Sequence, residues 1–178
     1  PTHGASADRE ADDAPTLDIS DFNIDKHFSI YWEGFVLKRE IPFDDEPSGY
    51  VDDLTRIFTT FDTTEVGSDR MLLYVSSLGD DSFDLIFQHR VDSKGIQKTK
   101  ANLPHGEKVK ALMVVDGSSF KVFVNGSKLG SALDVPDHKT LCKLLDLSDV
   151  SDDQGCIHEQ ILIFPFALSD AEGEDITT

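Results

Sequence analysis

Residues 89–110 hold Arg90, Lys94, Lys98, Lys100, Lys108 and Lys110, opposed only by Asp92 and Glu107. The whole chain has 16 Lys and Arg against 34 Asp and Glu, so this stretch reverses the local sign of the charge. The chemistry of such a cluster is recognition of an acidic group. Guanidinium grips a carboxylate or similar anion through two parallel hydrogen bonds, and Arg90 is the natural anchor. His89 and Asn102 stand near it in sequence and supply further donors and acceptors. His89, Arg90, Lys94 and Asn102 are therefore candidate ligand-binding residues. The plainer reading is a set of solvated strand edges, where lysine discourages edge-to-edge pairing.

The other reactive side chains do not assemble a catalytic set. His3, His27, His89, His105, His138 and His158 are scattered, with no His-x-x-x-His pair for zinc. Cys156 and His158 are two residues apart, a spacing that places two strand side chains on one face for packing as readily as for chemistry. No Gly-x-Ser-x-Gly turn is present, and no strand carries the paired acids of a glycosidase. Acids cluster at 44–46, 52–53, 80–81 and 149–153, but without an Asp-x-Asp-x-Asp-Gly pattern and distal Glu for calcium. These readings predict a binding protein, not an enzyme, with no metal and no cofactor. Cys142 and Cys156 permit one disulfide, which would stabilise by ~2–3 kcal/mol; the alternative is two buried thiols. Asn125-Gly126-Ser127 is a glycosylation sequon and, with the two cysteines, points to secretion.

Short β-strands must position these groups. Phe28–Trp32, Phe35–Leu37, Arg56–Phe61, Met71–Val75, Phe83–Phe87, Lys108–Val115, Phe120–Val124 and Ile157–Phe166 are apolar and rich in β-branched and aromatic residues. Asp116-Gly117 and Asn125-Gly126 are hairpin signals, because the tight type I′ turn needs positive φ. The segment Lys139–Leu147 fits a helical turn or a strand. Strands at roughly ten-residue intervals with glycine-bearing turns predict an all-β antiparallel sandwich. The expected organisation is a disordered acidic segment at 1–20, a β-sandwich at 21–168 and an acidic tail at 169–178. Phe is the main aromatic, 12 against one Trp, which suits a dry core; Trp32 is expected there too. The net charge of −18 argues against nucleic acid and anionic membrane surfaces, and no apolar run is long enough to insert in a bilayer.

From about Thr55 to Phe164 the order of segments resembles a galectin, within the lectin-like jelly-roll group. The resemblance is carried by Asp69–Val75, Phe83–Phe87, Leu103-Pro104 with Gly106, Val109–Val115, Phe120-Lys121-Val122-Phe123-Val124-Asn125-Gly126 and Ile157–Phe164. It implies two packed antiparallel sheets with a ligand face on one of them. The galactoside residues of the family are not reproduced. Its His-x-Asn-x-Arg stretch is replaced by Gln88-His89-Arg90-Val91-Asp92, and its Trp-Gly-x-Glu stretch by Lys94-Gly95-Ile96-Gln97, so the resemblance adds Gln88 and Gln97 to the candidate ligand-binding residues. The expectation is a galectin-like scaffold with a degenerate sugar motif, used for protein–protein contact or adhesin assembly. A specific case would be the galectin-like domain of a secreted microneme adhesin of a parasite. That case implies docking onto an epidermal-growth-factor-like module of another secreted or surface protein. The alternative is a lectin retuned to acidic, for example sialylated, glycans. Either setting is the secretory pathway or the extracellular space.

Overall fold

The structure, a computed structural model, describes residues 16–22, 24, 26–37, 54–61, 70–77, 82–91, 94–135, 143–147 and 156–178. Its strands are β1 (Thr16–Asp18), β2 (His27–Val36), β3 (Leu54–Phe61), β4 (Arg70–Ser77), β5 (Ser82–Val91) and β6 (Lys94–Pro104). They continue with β7 (Lys108–Asp116), β8 (Ser119–Val124), β9 (Ser127–Lys128), β10 (Leu133–Asp134), β11 (Leu144–Asp146) and β12 (Cys156–Phe164), followed by helix α1 (Asp170–Thr177). The first sheet runs β1-β11-β3-β4-β5-β6, and the second runs β10-β8-β7-β2-β12 with β9 against β8. All the recorded pairings are antiparallel. The sandwich expected from the strand pattern is the observed fold.

Alternation on a pleated strand sends successive side chains to opposite faces. In β5 the inward set is Phe83, Leu85, Phe87, His89 and Val91; in β7 and β8 the core takes Val109, Ala111, Met113, Val115, Phe120, Val122 and Val124. Trp32 is fully buried in this core, as expected. Its ring explains Gly34, which does not break the strand but continues it. A Cβ on Gly34 would lie 2.7 Å from Trp32 Cζ2 and 2.1 Å from the Ile157 carbonyl oxygen. The two hairpin turns differ. Asn125 and Gly126 both have positive φ, as type I′ demands, whereas at the other turn Gly117 has positive φ and Ser118 does not.

The boundaries differ from the sequence expectation. The supposed disordered segment 1–20 lies outside the described residues as far as residue 15, and its last part forms β1, paired with β11. Residues 169–178 are not a loose tail. Ser169 and Glu172 form a reciprocal capping box, which starts α1. The helix belongs to a second apolar cluster on the outer face of the second sheet, where Tyr31, Leu112, Val114 and Phe123 are covered by Leu168, Ala167 and Ile176. Lys121 and Lys128 both pair with Asp170, whose carboxyl these contacts, Lys128 first, hold below the usual range. Ser29 Oγ donates to the Phe166 carbonyl and accepts from the Leu168 amide. Acidic composition concealed an amphipathic element.

Candidate functional site

The outer face of the first sheet is built by β3–β6, whose register aligns side chains in cross-strand rows. One row reads Thr59, Leu72, Gln88, Gln97. On one side of it lies Arg70, Arg90, Gly95; on the other lies Arg56, Tyr74, Ile86, Thr99. Adjacent rows are ~7 Å apart, the distance spanned by two strand residues. Gln88 and Gln97 are direct cross-strand partners. The Gln88 side chain leans toward the arginine row, its Nε2 3.5 Å from where a Cβ on Gly95 would stand. Amide, hydroxyl and guanidinium groups thus share one strand-borne surface.

Of the sequence candidates, Gln88, Arg90 and Gln97 come together here. His89 does not: its neighbours in sequence face outward, so it faces the core, fully buried, 5.9 Å from the Phe120 ring across the sandwich. Asn102 lies on the outer edge of β6 near its far end, with φ +58° and its N–H donating to Asp84 Oδ1. Five residues of strand place it ~17 Å from Gln97. Lys94 opens β6 opposite Val91. Cys156 begins β12, half-buried against the core; Cys142, and with it the proposed disulfide, lies outside the described residues.

The basic stretch 89–110 is divided rather than collected. Lys98 turns inward, and its Nζ donates to the Leu129 carbonyl at 2.7 Å and to the Ser131 carbonyl, tying the edge of the first sheet to a loop of the second. Burial, then the charge of Lys128, pushes its pKa down. Lys108 belongs to the second sheet, where it pairs with Glu33 and Glu159. Glu33 also accepts from Tyr31 Oη at 2.7 Å, and that bond, ahead of Lys108, lowers its pKa. What sequence reading missed is Arg70 and Arg56. They lie 20 and 34 residues before Arg90, and only the strand register gathers them. Arg70 is pushed below its usual range by burial first, then by Arg90 and Arg56.

No established protein family matches the sequence, and no curated protein does either. Solved structures do match in fold. A heptameric SAP-like pentraxin from Limulus polyphemus superposes with a TM-score of 0.60 at 11% identity, over 93% of this chain and 72% of the pentraxin. Domain 4 of an extracellular arabinanase from Geobacillus stearothermophilus, solved with arabinotriose, gives 0.50 at 14% identity, over 87% and 68%. Sheep galectin-11, solved with glycerol, gives 0.49 at 12% identity, over 85% and 98%. The fold is a two-sheet antiparallel jelly roll, shared with the pentraxin and the arabinanase domain. At these identities the likeness is one of fold, so function has to be argued from the face itself.

Proposed function

We propose that this chain is a non-catalytic, extracellular binding module that holds a carbohydrate on the outer face of its first sheet. The observation that carries the reading is the composition of that face. Gln88, Gln97 and Thr99 offer the mixed donors and acceptors that sugar hydroxyls require. Among the described residues of β3–β6 none is an exposed large hydrophobic, whereas protein-binding hot spots centre on large apolar or aromatic anchors. The arabinotriose-bearing neighbour shares this fold, which is in keeping with the proposal.

A second reading, docking of a secreted partner such as an epidermal-growth-factor-like module within an adhesin, has its own support. Ile157 and Leu37 are exposed at one end of the β2–β12 pair. A glycan array with the intact chain and with Gln88→Ala plus Gln97→Ala separates the two. Binding that the double variant loses supports the carbohydrate reading. A blank array from folded protein overturns it in favour of docking.

A further inference from the structure

The arginines on the first sheet are placed against their own electrostatics. Arg70 and Arg90 are direct cross-strand partners, which brings their Cα atoms to ~5 Å. Like charges placed so are destabilising. Arg56 stands two rows away on β3. The chain has 34 acids for 16 bases, and Lys108, Lys121 and Lys128 each hold a carboxylate. Arg56, Arg70 and Arg90 have none among the described residues. Arg70 Nε is shielded from solvent and makes no hydrogen bond there. In the adjacent row Thr59 is 2% exposed and its Oγ1 is likewise without a partner. A diagonal pair of this kind on neighbouring strands is ~7–8 Å apart. Two buried donors without partners among the described residues and two adjacent cations on one face have the composition of an anion site.

We infer that Arg70 and Arg90, with Thr59 beside them and Arg56 at the margin, form an oxyanion site for a single acidic group on an otherwise neutral glycan. The inference rests on the carbohydrate reading above and specifies its ligand class. A guanidinium satisfies a sulfate or a carboxylate through paired hydrogen bonds, and Gln88, leaning toward Gly95 opposite Arg90, reaches the adjoining sugar. The net charge of −18 sets the limit to one group. A long polyanion would be repelled by the rest of the surface, whereas an isolated charge is held where the local sign is reversed.

The test uses the full chain with three ligands sharing one sugar core: neutral, monosulfated and sialylated. The expected result is that one or both acidic forms bind about tenfold or more tightly than the neutral form. Whichever acid is preferred identifies the group as sulfate or carboxylate. Arg70→Gln and Arg90→Gln abolish the preference for the acidic forms while the chain stays folded, and their urea midpoints do not fall, because the like-charge pair is relieved. Equal binding of neutral and acidic forms, or a preference that survives Arg70→Gln, overturns the oxyanion site and leaves the carbohydrate reading standing. If no glycan binds, that reading fails, and inorganic sulfate followed through the Arg70 Nε–H resonance decides the site. A saturable shift in the intact chain that is lost in Arg90→Gln supports it; no shift overturns it.

Discussion

The indole N–H of Trp32, buried in the centre of the sandwich, donates to Nδ1 of His158 at 3.0 Å. The two rings meet edge to face, with centroids 6.4 Å apart. An accepting Nδ1 requires a ring without a proton there, and although part of His158 is exposed on the edge strand, desolvation of the ring against the indole holds its pKa below the usual 6.5. In the unfolded chain the same histidine titrates near 6.5. As pH falls from there through the lower folded value, the unfolded state binds a proton that the native state resists, so stability falls. Above 6.5 the contribution is complete. Urea midpoints at pH 7.5 and pH 5 should show this loss. His158→Phe should be less stable at pH 7.5, by ~1–3 kcal/mol for the orphaned indole donor, and should show a smaller drop between the two pH values.

Gly34 gives Trp32 its space. Gly34→Ala would force a methyl group into the Trp32 ring and the Ile157 carbonyl oxygen. The expected cost is ~2 kcal/mol or more. Chemical denaturation measures it, and a blue or red shift of the single tryptophan's emission would report the displaced ring.

The C-terminal helix should be inseparable from the sandwich. A Cβ on Gly173 would stand 2.8 Å from the Phe123 ring, so Gly173→Ala pushes α1 off the second sheet. The expected outcome is faster proteolysis after Phe166 and dye binding to the uncovered Tyr31, Leu112 and Val114 surface.

Lys98 and His89 have structural contacts, whereas Gln88 and Gln97 stand on the face proposed to bind the ligand. Lys98→Met should cost ~1 kcal/mol through its lost carbonyl contacts. His89→Ala leaves a cavity beside Phe120 and should cost ~2–4 kcal/mol. Gln88→Ala and Gln97→Ala should leave the unfolding midpoint unchanged and weaken ligand binding. Parallel denaturation and binding titrations on the four variants check the division.

Most strands were legible because their apolar residues alternate or run together, and the sandwich followed from their spacing. Strand β6 was not legible: its inward positions include Lys98, whose aliphatic stem lines the interior while its amino group reaches carbonyls of the other sheet. Helix α1 was hidden by its four acids, since its apolar contribution is Ile176 together with the close approach at Gly173. Local composition singled out Arg90, and the resemblance singled out Gln88 and Gln97, which the register places on one surface with it. Arg70 and Arg56 were not, because a cross-strand neighbour is a fact of register. His89 stands between Gln88 and Arg90 in sequence yet faces the core, which one step of the pleat decides.

Strand β2 occupies residues 27–36, yet its partners are β7 at 108–116 and β12 at 156–164. In the other sheet, β1 at 16–18 waits for β11 at 144–146. The first sheet therefore cannot be completed by a growing chain until residue 146 has been made, nor the second until residue 164. Contacts of this sequence separation must be reached against a large loop-closure entropy, which slows acquisition of the native state to the range of milliseconds to seconds. During synthesis the aromatic residues of β2 wait more than seventy residues for β7 and more than a hundred for β12. The acidic excess then acts on the nascent chain, keeping unfinished copies apart by charge while the sandwich is still open.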